Sequence, residues 1–182
     1  MQANSPGDLF DAFAEDLLGE RASRPLVIVG ASKVDTLLFE ILSSYLLPKR
    51  AKKKDQDELL EGDRPLATFS SRIKICYRLR LIDESLYLSL ETLRALRNRS
   101  AHSITFDINK SPMREYVTEL RKGVGGRKSF LLTKERYFGT DSLPKVLELP
   151  CLLLTLCVIL EAIREKISTT SGSKAALSIA TR

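Results

Sequence analysis

The stretch that most limits the fold is Cys151–Leu160, CLLLTLCVIL, which is apolar on every side of a helix except at Thr155. A helix with no polar face must be ringed by other elements or buried between two chains. The block is shorter than the roughly 20 apolar residues of a membrane span, so a core helix is expected. It lies within Leu143–Ser168, where Pro150 marks a kink or a start. The elements around it must then be amphipathic, and the rest of the chain supplies them.

Asp8–Leu18 predicts a short helix with Leu9, Phe10, Phe13, Leu17 and Leu18 on its apolar side. Leu26-Val27-Ile28-Val29-Gly30 has the composition of a buried strand entering a phosphate loop, but Gly30-Ala31-Ser32 carries one glycine, short of any nucleotide-binding fingerprint. Val27, Val34, Leu38, Ile41 and Tyr45 instead keep helical spacing, with Ser23 and Pro25 as start signals and Pro48 as the stop, predicting one long helix. Gly62 and Pro65 mark a turn, Thr68 or Ser70 a cap, and Phe69, Ile73, Cys76 and Tyr77 one face of the next helix. Arg72, Lys74, Arg78 and Arg80 with Tyr77 fit a charged helix back better than a nucleic-acid surface. Beyond His102 the pattern breaks, and Ser103–Asp107 reads as extended chain before a helix from Pro112 to about Lys122, opened by Ser111. Gly123–Asp141 is glycine-rich and basic. It reads as a connector with no more than a helical turn, and phosphate binding by Lys122, Arg127 and Lys128 is the less favoured alternative. The expectation is an all-α fold, a single compact domain of five or six helices over residues 8–168, with a long apolar C-terminal helix. Residues 1–7 read as a flexible lead and 169–182 as a flexible tail.

A chain of 182 residues is one domain on length, and 43% hydrophobic with 29% charged residues is the balance of a soluble globular protein. Tryptophan is absent and aromatics are 7%, so the core must be aliphatic. The net charge of +6 permits contact with RNA, DNA or an acidic protein without requiring it. The densest basic run, with Lys49, Arg50, Lys52, Lys53 and Lys54, has two readings. One is a phosphate-binding or docking patch; the favoured one is a solvated connection balanced by Asp55, Asp57 and Glu58. Cys76, Cys151 and Cys157 form no CxxC pair and there is one histidine, too few soft ligands for zinc, so neither metal nor cofactor is expected. The N-terminus lacks the layout of a signal peptide, and a cytoplasmic location is expected.

The functional lead is Asp83–His102, DESLYLSLETLRALRNRSAH. Asp83 has the features of an N-cap, with acids toward the start of the helix and Arg94, Arg97 and Arg99 toward its end. At roughly 100° per residue, Leu86, Leu90, Leu93 and Arg97 share a stripe about 60° wide, which sends Arg97 inward and demands an anion, a carbonyl or a second chain for it. His102, the sole histidine, follows one turn later.

These pieces resemble the mannitol-operon repressor family. Gly62, Pro65, Leu66, Ala67, Thr68, Phe69, Ser70, Arg72 and Ile73 match a family stretch of glycine, Pro-Leu, a small residue, Thr/Ser-Phe-Ser and Arg-Ile. Arg97, Asn98, Ala101 and His102 match a stretch ending Arg-Asn-x-x-Ala-His, and the likeness spans most of residues 20–168, loosely over 105–145. The resemblance implies an all-helical cytosolic transcriptional regulator without an evident DNA-reading element. Such a regulator is expected to be a dimer and to act on another regulatory protein. The same Arg97-to-His102 stretch is similar to the Arg-x(4–6)-His signature of HEPN domains, many of which are metal-independent endoribonucleases. In that reading His102 takes the proton from a 2′-OH, Arg97 stabilises charge on the phosphate and Asn98 orients it. Residues five apart on a helix diverge by about 140°, so Arg97 and His102 converge only if the helix ends between them or a second subunit completes the site. The structural alternative is that Arg97 and Asn98 tie the helix end to neighbouring backbone while His102 caps it.

Overall fold

A computed structural model describes residues 6–46 and 57–180, with side chains described over 10–46 and 57–169. Seven α-helices and no strand occur among the described residues. In chain order they are α1 (Pro6–Gly19), α2 (Ser23–Tyr45), α3 (Phe69–Arg78), α4 (Glu84–His102), α5 (Met113–Val124), α6 (Lys128–Phe138) and α7 (Lys145–Ala180). The all-α expectation with a long apolar C-terminal helix therefore holds, and the expected five or six helices become seven. The additional one is α6, in the segment expected to be a connector.

The all-round apolar block sits where its composition requires. Cys151, Leu152, Leu153, Leu154, Leu156 and Cys157 have no exposed surface, and Thr155 is equally buried. The Thr155 hydroxyl donates to Cys151 O four residues back (2.7 Å), so the one polar side chain in the block is satisfied inside its own helix. α7 is ringed by α2, α5 and α6, with α1 bridging it to α2; α3 and α4 pack on α2 and on each other, and α4 also packs on α5. By length and composition Lys145–Thr169 would pass as a membrane span, yet 61% of its apolar window is buried within this fold, as for a core helix. Pro150 lies in its second turn and does not begin it. α1 begins at Pro6 and α7 runs on to Ala180, so helix extends into both segments read as flexible ends.

α2 lies along α7 and buries Leu26, Val27, Ala31, Val34, Leu37, Leu38, Ile41 and Leu42, while Tyr45 at its end is exposed. Each such side chain contributes about 1.5–3 kcal/mol by leaving water. Gly30 is not part of a phosphate loop. It is mid-helix, at the point where α2 comes closest to Leu153 of α7. α3 opens on a capping box in which Thr68 Oγ1 accepts from Ser71 N (3.1 Å) and Ser71 Oγ accepts from Thr68 N (3.2 Å). It closes with Arg80 in the left-handed region (φ 59°), Arg80 N bonding Tyr77 O and Leu81 N bonding Cys76 O, the Schellman arrangement. Tyr77 stacks on Tyr87 of α4 at 4.6 Å between centroids, which commits the aromatic ring among the α3 cations to an internal contact.

At α5 one detail differs from expectation. Ser111 does not cap it; its hydroxyl donates to Glu115 Oε1 (2.6 Å), and Pro112 occupies the cap position. Burial pushes the Cys76 and Cys157 thiols up to about 12 and Cys151 to about 11, the behaviour of structural cysteines.

Candidate functional site

α4 carries the polar cluster singled out by the sequence. Asp83 caps it, Oδ1 accepting from Leu86 N at 2.8 Å, and Arg127 donates to both carboxylate oxygens (2.6 and 2.9 Å). That hydrogen bond from Arg127 holds the Asp83 carboxyl below its ordinary range. A group so depressed stabilises the fold above its unfolded value of about 3.9 and loses that contribution as pH falls through the folded value. Asp83→Ala is thus expected to cost about 1 kcal/mol at neutral pH. In urea melts the gap to wild type should narrow as the pH drops below about 3.9.

The other end of α4 departs from expectation. The buried face runs through Leu86, Ser89, Leu90, Leu93, Leu96 and Ser100. Leu96 takes the inward position that the stripe assigned to Arg97, and Arg97 is exposed. Helix continues through His102, also exposed, and Ser103 is the first non-helical residue. The chain therefore does not break between Arg97 and His102, and the two side chains leave the helix about 140° apart. No hydrogen bond or ion pair from a described residue engages the side chains of Arg97, Asn98, Arg99 or His102. Nor do these residues tie the helix end. Arg24 of α2 does so, its Nη2 donating to Ser103 O (2.7 Å) and Ile104 O (3.2 Å).

The motif around Gly62–Ile73 has a structural logic centred on Arg72, whose side chain is 11% exposed. Nε donates to Leu66 O (3.1 Å), Nη2 to Leu60 O (2.9 Å) and Nη1 to Asp35 Oδ1 (2.8 Å), while the guanidinium lies over the Phe39 ring at 5.2 Å. One planar fork thus holds the 60–66 loop against α2. Gly62 sits at φ 65°, a turn conformation in which a side chain is strained. Leu66 N closes the loop on Leu59 O (2.8 Å), and Ile73 is fully buried. Pro65, Phe69 and Ser70 lie on this loop and in the first turn of α3.

The glycine-rich segment is not a phosphate cradle. Gly123 lies within α5, where a Cβ would stand 2.0 Å from Ser89 Oγ, and its carbonyl accepts from Ser85 Oγ (2.8 Å). Arg127, one of the residues in the less favoured phosphate reading, is bound to Asp83. Lys49, Arg50, Lys52, Lys53 and Lys54 lie outside the described residues, as do Leu47 and Pro48. No cluster of three or more His, Cys, Asp or Glu occurs among the described residues.

Sequence reasoning missed Glu148, only 4% exposed, whose carboxylate receives Arg114 and Arg121 (Nη1 at 2.9 Å). A lone acid between leucines at the head of an apolar helix was its signal. It also missed a cleft of about 360 Å³ between α1, α6 and α7. There Asp11 accepts from Tyr137 Oη (2.7 Å) and from Arg136 Nη2 (2.8 Å), and burial together with Asp11 pushes the Tyr137 phenol up to about 12.

No family model matches the chain, and no curated protein matches it. Among solved structures it is similar to a possible transcriptional regulator, YggD, from Shigella flexneri 2a str. 2457T. The TM-score is 0.62 at 13% sequence identity, over 85% of this chain and 98% of that one. At that identity the likeness concerns the fold, an all-α arrangement shared over nearly the whole of the other protein.

Proposed function

We propose that the chain is a non-enzymatic transcriptional regulator of the mannitol-repressor type. It works in the cytoplasm as a homodimer and docks onto another regulatory protein. The observation that carries this is the continuity of α4 through His102, which separates Arg97 from His102 and leaves both exposed. A polar cluster so placed offers charge and hydrogen bonds to a partner and holds no reacting groups together. The motif match over Gly62–Ile73 and the description of the structural neighbour as a possible transcriptional regulator support the same reading. In the cell, deleting the gene should raise transcripts of the mannitol-uptake genes; unchanged transcripts would remove mannitol from the reading.

A second reading has one observation in its favour. Arg97 and His102 are exposed, Asn98 is half-buried, and none has a side-chain partner among the described residues, so Arg97 of one chain and His102 of another can meet across a dimer. That would be an HEPN-type endoribonuclease. The deciding experiment is RNA cleavage in EDTA by wild type, Arg97→Ala and His102→Ala. Both substitutions are at exposed positions and are expected to change stability by less than about 0.5 kcal/mol. No cleavage by any of the three is the expected result. Cleavage by wild type that both folded variants lose would establish the ribonuclease and overturn the regulator.

A further inference from the structure

A second cleft, of about 410 Å³, lies at the opposite end of α2 from its exposed Tyr45. Its walls come from four places: the α1–α2 connection, the loop after α4, the start of α5 and the start of α7. Its volume is that of an ordinary small-molecule pocket. Leu18, Ile108 and Leu147, each part-exposed, make an apolar lining over the buried Leu26 and Leu149, and Arg21, Arg114, Lys145 and Asn109 add the polar groups. We propose that this cleft binds a small organic carboxylate, its acid group held by Arg21, Arg114 and Lys145 and its apolar body against Leu18, Ile108 and Leu147.

Charge decides the ligand class. Arg21 and Lys145 have no ion-pair or hydrogen-bond partner for their side chains among the described residues. Arg114 commits one nitrogen, Nη2, to Glu148 and keeps its other donors. The acid on the cleft wall, Glu20, is occupied in accepting from Ala22 N (2.7 Å). Three cations on the cleft wall face one acid there, Glu20, and Glu148, behind Arg114, is shared with Arg121, so the wall keeps a positive surplus. A carboxylate answers that surplus, and the apolar lining gives affinity to a hydrocarbon chain that inorganic anions lack. The cleft between α1, α6 and α7 offers no comparable surplus, because its Asp11 and Arg136 pair with each other. Binding here does not depend on the regulatory reading, since no residue of the exposed α4 cluster lines the cleft.

The test is calorimetric titration of the full chain with octanoate, beside 1-octanol and two double variants. Arg21→Gln/Lys145→Gln removes the two unpaired cations of the cleft. Lys74→Gln/Arg78→Gln removes the same charge from the exposed back of α3, and circular dichroism confirms the folding of both. The expected result is saturable binding of one octanoate per chain, at least tenfold weaker in the cleft variant and unchanged in the α3 variant, with octanol at least tenfold weaker than octanoate. The proposal is overturned if octanoate fails to saturate, if both variants weaken alike, or if octanol binds as well as the acid.

Discussion

Replacing Arg72 by alanine is expected to lower the stability of the chain by about 3 kcal/mol, the lower end of the cost of removing one partner from a buried ion pair. The lower end applies because Asp35, left behind, is 31% exposed and can recover water. Leu60 O and Leu66 O lose their side-chain donor, and Phe39 loses the cation over its ring. For a chain of this size the loss corresponds to a fall in Tm of roughly 6–12 °C. Lysine is expected to recover less than half, since a single ammonium cannot reach Asp35 and two carbonyls at once. The damage should also be local: amide exchange at Leu66 and Ala67, whose N–H groups close the loop on Leu59 and Arg64, should accelerate more than exchange in α7. A Tm within about 2 °C of wild type, less than 1 kcal/mol at this size, would show that the loop is held by other contacts and that the Gly62–Ile73 motif has another purpose.

What was legible in the sequence was what is local. The caps Asp83 and Thr68 act on backbone three residues away, so spacing alone reveals them. The apolar faces of α2, α3 and the Cys151–Leu160 block were legible because their burial is strongly periodic or complete. α6 was not, because Leu131 and Leu132 are 60% and 54% exposed and only Phe130 and Thr133 are buried, which blurs the periodicity. Gly123 misled for a different reason. It reads as a loop signal, whereas its use is to let α5 approach Ser85 and Ser89 of α4. Arg97 and Leu96 lie one residue apart on the same helix, and the sequence pattern placed the arginine inward. Packing turned the leucine inward instead, which spares a charge the cost of desolvation. Arg24 at the end of α4 and Asp35 on Arg72 come from α2, far away in sequence, and no local pattern announces such pairs.

The other large effect is expected at Gly30. A Cβ added there would meet Leu153 Cδ1 at 2.7 Å and Cδ2 at 3.0 Å, and Leu153 has no exposed surface into which to move. Two terms compete in Gly30→Ala. A helical alanine gains about 1 kcal/mol over glycine. Displacing the Leu153 methyl groups by a few tenths of an ångström costs a similar amount, so the net change should stay within about 1 kcal/mol. Gly30→Leu has the same helix-propensity gain but must place a whole isobutyl group between α2 and α7, which pack along the middle of the fold. That overpacking is expected to cost about 3 kcal/mol, and the cost should be specific to the contact. Leu153→Ala alone is expected to lose about 2–5 kcal/mol by leaving a cavity. In Gly30→Leu/Leu153→Ala the new side chain fills the space the old one vacated. The double variant should be more stable than the sum of the two losses predicts, by at least 1 kcal/mol of coupling in urea denaturation. Simple additivity would mean that Gly30 and Leu153 do not set the spacing of α2 on α7, and that the glycine is tolerated there without being needed.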